Sequence, residues 1–283
     1  MQYRFIRFPE GKTKAFTTSY DDGCRDDIRL ATLLKDHGIK GTFNITTPEK
    51  EGAWRLSYDE ISKYILDAGH EVAVHGALHK APGIARPIEG ITDILDCRKN
   101  LEKAFGRIIR GLAFPDSGIV RMMNGNNYEN IKGYLEDLDI AYARTLAGDN
   151  NSFLLPTDWH SWMPTAKHTN EKIFDWLDEF VTLDYSNLYS AARYSRLFYL
   201  WGHSFEFERA KNWDVIEKIC EKVSGKEDIW YATNIEICEY VKAYQSLVYS
   251  ADATRVYNPT LYTIWFEYDE KLYSINPGET LCI

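Results

Sequence analysis

The chain has 283 residues, 45% of them hydrophobic, and a formal net charge of -9 at pH 7. This hydrophobic content supports a sizeable core and excludes a disordered chain, whereas the acidic balance excludes nucleic acid as a partner because phosphate binding needs clustered Lys and Arg. No apolar run approaches the roughly 20 residues that span a bilayer, and no export signal precedes the first predicted strand, so we expect a soluble chain without a membrane span.

The first half of the chain alternates strand-like apolar runs with amphipathic helical segments. Such alternation predicts parallel strands joined by helical crossovers. The predicted strands cover residues 14–20, 41–46, 70–75, 111–114 and 141–145. The predicted helices cover residues 26–37, 57–68, 88–105 and 127–138. Ser57, with Glu60 three residues later, has the pattern of a capping box at the start of the second helix.

The second half of the chain is less regular. Residues 146–184 are rich in Pro, Asn and aromatic residues, which is typical of an elaborated loop, and we expect a helix at 170–182 within them. A further helix is predicted at 235–244. From Leu247 onward, apolar and polar residues alternate between turn signals, which predicts β structure.

These patterns predict one large α/β domain at residues 1–245 and a small β-rich extension at 246–283. The aromatic residues of the extension could form a sugar-stacking surface, but packing against the large domain is the favoured interpretation. They are Tyr257, Tyr262, Trp265, Phe266 and Tyr268.

Two motifs at predicted strand ends together indicate a catalytic metal site. Asp21 and Asp22 follow the first strand, and His75 and His79 come at the end of the third. The i, i+4 spacing of the histidines would put both imidazoles on one face of a helical turn, where they can bind one ion with Asp22. Two histidines and one carboxylate leave positions open for water and substrate, and Asp21 remains free to act as a base.

Each motif alone has a simpler interpretation. An Asp-Asp-Gly triplet is more often a solvated turn or a helix N-cap, and a lone pair of histidines four residues apart is a weak signal. Their position at the carboxyl ends of strands favours catalysis, because β/α barrels place their catalytic groups there. Cys24 adjoins the site, but no partner base is evident beside it, so we do not expect a nucleophilic thiol.

Four motifs resemble, in order, those of the polysaccharide deacetylase family (carbohydrate esterase family 4), metal-dependent carbohydrate esterases that act on chitin-like and peptidoglycan sugars. The family pattern T-F-D-D-G resembles Ser19–Gly23, and H-[ST]-x-x-H resembles His75–His79 with Gly76 in place of the hydroxyl residue. The third and last motifs resemble Leu112–Gly118 and Tyr199–His203. The resemblance implies an α/β fold, a distorted (β/α) barrel of seven or eight mainly parallel strands.

The resemblance also implies a reaction and a role for each site residue. Asp22, His75 and His79 would hold one divalent ion, for which zinc is the first choice and cobalt, nickel or ferrous iron are alternatives. Asp21 would be the base, and His203 would protonate the departing amine. The expected reaction is removal of an N-acetyl group, or as a second choice an O-acetyl group, from an acetylated carbohydrate.

The chain departs from the family pattern in two places. Phe114 stands where much of the family has an Arg that pairs with the base, so another group must pair with Asp21, and the sequence does not identify it. The fourth motif, D-x-x-D-W, has no clear match. Asp158 is preferred as the residue that orients His203, because the other Asp-Trp dipeptide begins at Asp175 inside a predicted helix.

Further residues are expected to contact substrate. Matched by position, the backbone N–H of Ser117 corresponds to the family's oxyanion donor. Trp162 could stack on the apolar face of a sugar or pack in the core, and His168 could grip a sugar or lie on the surface. Aromatic residues replace the leucines of the last motif, which would alter the pocket for the acetyl methyl. The predicted substrate-binding residues are Pro115, Asp158, Trp162, His168, Tyr199 and Trp201.

The sequence leaves alternatives open for both the localisation and the function of the protein. Five cysteines without C-x-x-C spacing favour a reducing cytosol, and the alternative is an exported protein whose export segment is missing from the sequence. Besides a sugar deacetylase, the chain could be a hydrolase of a non-sugar amide on the same barrel or a catalytically silent carbohydrate-binding protein. The intact set of candidate catalytic residues argues against a silent protein, and the sequence does not determine the oligomeric state.

Overall fold

The computed structural model describes residues 3–47, 54–146 and 149–283. In chain order the strands are β1 (Arg4–Arg7), β2 (Lys14–Asp21), β3 (Gly41–Ile45), β4 (Glu71–Val74), β5 (Gly111–Ala113), β6 (Tyr142–Arg144), β7 (Ala166–Lys167), β8 (Arg196–Gly202), β9 (Ile229–Tyr231), β10 (Val248–Tyr249), β11 (Arg255–Tyr257), β12 (Ile264–Tyr268), β13 (Lys271–Ile275) and β14 (Thr280–Cys282). The helices are α1 (Asp27–Asp36), α2 (Tyr58–Ile61), α3 (Pro87–Phe105), α4 (Tyr128–Asp137), α5 (Ile173–Thr182), α6 (Ser204–Ala210), α7 (Trp213–Val223) and α8 (Asn234–Gln245).

The main sheet is parallel, and β2 lies at its centre. The strand order is β6-β5-β4-β3-β2-β8-β7, and β9 pairs with the start of β2. Every residue of β2 is buried because it has neighbours along its whole length. Since the strands run in the same direction, the carboxyl ends of β2, β4 and β8 meet at one end of the sheet, where the site described below is found.

Residues 162–167 span the gap between the edge strands of this sheet. Thr145 N donates to Trp162 O (2.9 Å), and Trp162 N donates to Ala143 O (3.0 Å), beside β6. A few residues further on, β7 pairs with β8. The predicted fold class, a distorted (β/α) barrel of mainly parallel strands, is confirmed.

The helices pack their apolar faces on this sheet. In α1 the buried face includes Leu30 and Leu34, which join Phe16 and Phe43 of the strands in one hydrophobic core. The predicted capping box at Ser57 is present, but the helix that it begins is α for one turn only and continues as a π-helical segment at Ser62–Leu66. None of the helices in the described part of the chain is both long and apolar enough to cross a membrane.

The C-terminal region forms two small antiparallel sheets. One contains β10, β11 and β14, and the other places β12 between β1 and β13. The N-terminal strand therefore belongs to the C-terminal sheet, and Arg7 forms a buried ion pair with Glu267 at 2.7 Å. Phe266 and Tyr268 are buried, as the packing role favoured for this region requires, whereas Tyr257 and Tyr262 are exposed.

Candidate metal centre and active site

The two adjacent aspartates have different surroundings at the end of β2. Asp21 is the last residue of the strand and is buried. Asp22 follows in a turn with φ of 83°, in the left-handed region that non-glycine residues rarely adopt. Its Oδ1 atom lies 3.7 Å from His75 Nε2 and 3.4 Å from His79 Nε2. The backbone turn thus directs the Asp22 carboxylate to the histidine pair.

The two histidines lie in a loop after β4 and not on the helical turn that the sequence predicts. Gly76 has φ of 76° and His79 has φ of 54°, values that an α-helix does not contain. The rings nevertheless meet, with centroids 4.8 Å apart. The helical interpretation is wrong because the i, i+4 spacing is produced here by left-handed residues that bend the loop.

Asp93 of α3 holds the histidine loop in place. Its Oδ1 atom accepts from Leu78 N (2.5 Å), its Oδ2 atom accepts from Lys80 N (3.3 Å), and its backbone carbonyl accepts from Ala77 N (3.0 Å). A Cβ atom at Gly76 would overlap Asp93 Oδ2. The family pattern has a hydroxyl residue at this position. Here Gly76 leaves the space to the Asp93 side chain, which binds the loop.

The donor set of Asp22, His75 and His79 fits a divalent metal ion. Their ligand atoms all lie within 4.8 Å of one another, and two ligands bonded at about 2.0–2.1 Å to a tetrahedral ion would lie about 3.3 Å apart. His75 Nδ1 lies 2.9 Å from Ala113 O and must donate to it, which leaves Nε2 without a proton and directed to the other ligands. Two imidazoles and one carboxylate form a donor set that suits zinc.

Arg144 is the group that pairs with Asp21. Its Nη2 atom lies 2.6 Å from Asp21 Oδ2 in a fully buried position. Arg144 ends β6, and its carbonyl accepts from Phe114 N (3.1 Å), so the cation comes from the strand beside Phe114. Although burial by itself raises the pKa of Asp21, the guanidinium and two nearby imidazoles hold that pKa below its ordinary value.

His203 follows β8 and faces both aspartates. Its Nε2 atom lies 3.8 Å from Asp21 Oδ2 and 4.0 Å from Asp22 Oδ2. Its other nitrogen, Nδ1, lies 3.6 Å from Glu206 Oε1, one turn along α6. Burial by itself lowers the pKa of His203, but Glu206 and the two aspartates raise it above its ordinary value. The ring therefore lies between the two aspartates on one side and Glu206 on the other, and all three carboxylates favour its protonated form.

Glu206, and not Asp158, is the carboxylate beside His203. Asp158 instead accepts hydrogen bonds from Tyr128 OH (2.7 Å) and Lys132 Nζ (3.0 Å) of α4. It also caps a short 3-10 turn by accepting from the backbone at residue 160. The prediction that Asp158 orients His203 is wrong because the Asp-Trp dipeptide belongs to this separate cluster.

His168 is a buried neighbour of Glu206. Its Nε2 atom lies 3.1 Å from Glu206 Oε2, and its ring stacks on Tyr20 with centroids 5.8 Å apart. A Cβ atom at Gly202 would overlap the imidazole. Lys167 Nζ lies 2.6 Å from Glu206 Oε1 and completes the set of cations around that carboxylate. The prediction that His168 grips a sugar is contradicted, because its ring is enclosed by the protein.

Three other residues predicted to contact substrate are also buried. Trp162 is 1% exposed and packs edge-on against Trp159 and Tyr199. The Tyr199 hydroxyl accepts from Asn234 Nδ2 at 2.5 Å on the side away from solvent. Pro115 is buried after β5. Their burial contradicts a direct substrate contact, because these side chains do not line an open surface.

Trp201 and Ser117 keep the exposure that a substrate contact requires. The half-buried ring of Trp201 lies 6.0 Å from the His203 ring, with the Arg144 guanidinium 4.6 Å from its centroid. Ser117 lies in the turn after β5, and within the described ranges its backbone N–H has no acceptor, as an oxyanion donor requires. The roles assigned to these two residues stay predictions.

Cys24 does not have the properties of a nucleophile. Its Sγ atom is buried 3.0 Å from the Ser204 hydroxyl. Burial raises the pKa of the Cys24 thiol to about 12, so the thiolate is absent at neutral pH. Among the described residues around this site, the aspartates and histidines are therefore the candidate catalytic groups.

Comparison with protein families identifies the first part of the chain. Residues 8–131 match the family described as polysaccharide deacetylase. The matched part resembles this family and makes up less than half of the 283 residues. The polysaccharide deacetylase match includes the two motifs that carry the candidate metal ligands, and it ends before Arg144 and His203. No curated protein matches the chain.

Solved structures share the fold at low sequence identity. A protein from Mycobacterium smegmatis assigned as a polysaccharide deacetylase is 18% identical, with a TM-score of 0.52 over 85% of this chain and 94% of that one. The Puue allantoinase is 13% identical, with a TM-score of 0.55 over 82% of this chain and 91% of that one. Streptococcus pyogenes deacetylase PplD, solved with acetate, is 19% identical with a TM-score of 0.41, and the match covers 46% of this chain and 55% of that one. The first two likenesses support the barrel fold, and identities this low establish nothing finer.

Proposed function

We propose that the protein is a metal-dependent hydrolase that removes an N-acetyl group, or as a second choice an O-acetyl group, from a carbohydrate. The observation that carries this proposal is the convergence of a two-histidine, one-carboxylate donor set with a separate buried carboxylate and a separate imidazole. Asp21 and His203 approach each other to 3.8 Å beside the donor set. The family of residues 8–131 supports a hydrolytic deacetylase.

The donor set would hold the metal, and Asp21 would act as the base. A divalent ion, with zinc as the first choice, would polarise the acyl carbonyl and acidify the attacking water. Arg144 keeps Asp21 ionised and fixes the orientation of its carboxylate, so Asp21 can accept a proton from that water. An ionised carboxylate only accepts hydrogen bonds, and this suits the role of a base.

His203 would supply the proton that the departing amine needs. As the carbon–nitrogen bond breaks, Nε2 would donate to the leaving nitrogen, and the water oxygen stays on the acyl carbon as acetate. Glu206 lies 3.6 Å from Nδ1 on the opposite side of the ring, where its negative charge stabilises the protonated form before the transfer. The Ser117 N–H would stabilise the negative charge on the acyl oxygen.

Two alternative functions have to be distinguished from this proposal by experiment. The barrel fold alone does not determine which amide is hydrolysed, because the structures that share it include a protein assigned as a polysaccharide deacetylase and one named as an allantoinase. A catalytically silent carbohydrate-binding protein is disfavoured by the complete set of Asp21, Asp22, His75, His79 and His203.

Acetate release tests the proposal directly. The protein is stripped with EDTA, reloaded with Zn2+ and incubated with tri-N-acetylchitotriose, acetylated xylan and allantoin. We expect acetate from the N-acetylated sugar only with metal, and His203→Ala should keep the metal but lose turnover by about 100- to 10,000-fold. Hydrolysis of allantoin alone would favour the non-sugar amide, and sugar binding without acetate release would favour a silent protein.

A further inference from the structure

We propose that Trp54 and Phe205 form a stacking subsite for a sugar ring adjoining the candidate active site. This inference rests on the proposed function and names the residues that would recognise the carbohydrate. It replaces Trp162 and His168, which the structure buries, with aromatic side chains that solvent reaches. Trp54 is 41% exposed, and Phe205 is half-buried.

The pair lies next to the candidate proton donor. Phe205 comes two residues after His203, and the two rings have centroids 5.1 Å apart. The Trp54 ring lies 5.9 Å from the Phe205 ring, inclined by 51°. The rings of His203, Phe205 and Trp54 therefore form a row that leads from the reacting position towards solvent, with Trp54 at the exposed end.

The backbone at Trp54 is fixed to the loop that follows the metal ligand Asp22. Trp54 O accepts from Arg25 N (2.9 Å), and Leu56 N donates to Gly23 O (2.9 Å). These two bonds enclose a bridge between Cys24 and Arg55. The backbone that carries Trp54 is thus fixed relative to the donor set before any ligand arrives, which lowers the entropic cost of binding.

The chemistry of this surface matches a pyranose. An aromatic ring packs against the apolar face of a sugar, and hydroxyl groups around the rim of the sugar need hydrogen-bond donors. Each ring has a guanidinium over one of its faces: Arg55 lies 5.5 Å from the Trp54 centroid, and Arg209 lies 4.3 Å from the Phe205 centroid. A small acyl ester has neither the face nor the hydroxyl rim, so this surface would distinguish sugars from other acyl compounds.

The test compares a sugar with a small ester. For tri-N-acetylchitotriose and ethyl acetate, an ester without a ring, we measure kcat/KM of Trp54→Ala and Phe205→Ala from acetate release, with both variants loaded with Zn2+. Each variant should lower the ratio of sugar to ester kcat/KM by about three- to tenfold, the range of a lost aromatic contact. Trp54→Phe should recover most of the ratio. Tyr189→Ala removes a ring that is 75% exposed in the segment before β8 and should leave both rates unchanged.

Binding without turnover separates this inference from the proposed function. Calorimetric titration of Asp21→Asn with tri-N-acetylchitotriose should give a dissociation constant that rises three- to tenfold when Trp54→Ala is added. An unchanged ratio in the rates, or an unchanged dissociation constant in this pair, overturns the subsite. A wild type that binds the sugar through Trp54 but releases no acetate would refute the deacetylase and retain the subsite, and a wild type that neither binds nor cleaves the sugar overturns both.

Discussion

At the scale of single residues, Asp21 and Asp22 show how neighbours in the chain acquire different chemistry. The strand ends between them, so one carboxylate stays in the sheet beside Arg144 and the other turns out to the histidines. Buried ion pairing holds the first as a carboxylate, and the left-handed turn directs the second into the donor set. Removing the charge of Asp21 should therefore impair turnover, whereas removing the charge of Asp22 should impair metal binding.

Asp21→Asn should retain metal and sugar affinity but lose turnover, because an amide cannot accept the proton of the attacking water. Asp22→Asn should instead weaken metal binding, because it removes the anionic ligand of three. Elemental analysis and acetate release measure the two properties separately. Reversed phenotypes would exchange the roles, and full activity in both variants would refute the mechanism.

Asp93 provides a second prediction at this scale, since it binds three amides of the histidine loop without touching the donor atoms. Asp93→Ala should lower zinc affinity by about 10- to 100-fold, the usual cost of losing support for a ligand. Competition with a chelator measures this affinity without turnover. Asp96→Ala, on the exposed side of the same helix, is the matched control. Equal zinc affinity in the two variants would show that the loop holds its shape alone.

At the scale of the elements, Glu71 joins four of them at the end of the barrel away from the site. At the start of β4, its carboxylate accepts from Thr42 of β3 (2.8 Å), Tyr142 of β6 (2.7 Å) and Ile235 N at the start of α8 (2.9 Å). Gly111 of β5 leaves the space, because a Cβ there would meet both Glu71 and the tyrosine hydroxyl. This cluster fixes the first turn of α8 against the sheet.

The stability of this junction should depend on pH. Burial raises the pKa of Glu71 to about 7 from 4.5, although three hydrogen bonds lower it. A carboxyl group whose pKa is higher in the folded state stabilises the fold as the neutral acid, so its contribution is complete below about pH 4.5 and is lost as pH rises through about 7. Glu71→Gln cannot titrate. Urea unfolding with EDTA should show that wild type loses free energy of unfolding relative to this variant between about pH 5 and about pH 8. A difference independent of pH would show that Glu71 is ionised throughout.

At the scale of the whole molecule, the two ends of the chain meet in one sheet. β1 pairs with β12, and the side chains of Arg7 and Arg193 both contact the carboxylate of Glu267. Arg193 precedes β8, so this cluster connects the N-terminus, the C-terminal sheet and a central strand of the barrel. An arginine left here without its carboxylate partner should therefore destabilise the N-terminus, the C-terminal sheet and the barrel together.

Glu267→Ala should therefore lower the free energy of unfolding by about 3–5 kcal/mol, because the Arg7 guanidinium stays buried without its carboxylate. Urea denaturation followed by circular dichroism measures the change. Asp214→Ala breaks an exposed pair with Lys218 and should have little effect. If Glu267→Ala and Asp214→Ala have the same free energy of unfolding, the ends of the chain are not coupled to the stability of the barrel.

The sequence by itself determined the barrel and the residues that it brings to one end. Strand and helix periods are local and predicted parallel strands, whose carboxyl ends lie together, so Asp21, Asp22, His75 and His79 could be placed near one another. The same argument reaches Arg144, which ends the predicted strand at 141–145, but the sequence contained no sign of which strand end it would face. The closed barrel and the position of His203 came from the resemblance of the motifs.

Only the tertiary structure decided the contacts that tune the site and the side chains that solvent reaches. Arg144 meets Asp21 from 123 positions away, and Glu206 meets Lys167 from 39 positions away. Such pairs depend on how strands and helices pack, which local periodicity does not encode. Trp162 and Trp54 illustrate the same limit: an indole is compatible with a core or a surface, and only the surrounding chain buried the first and left the second exposed.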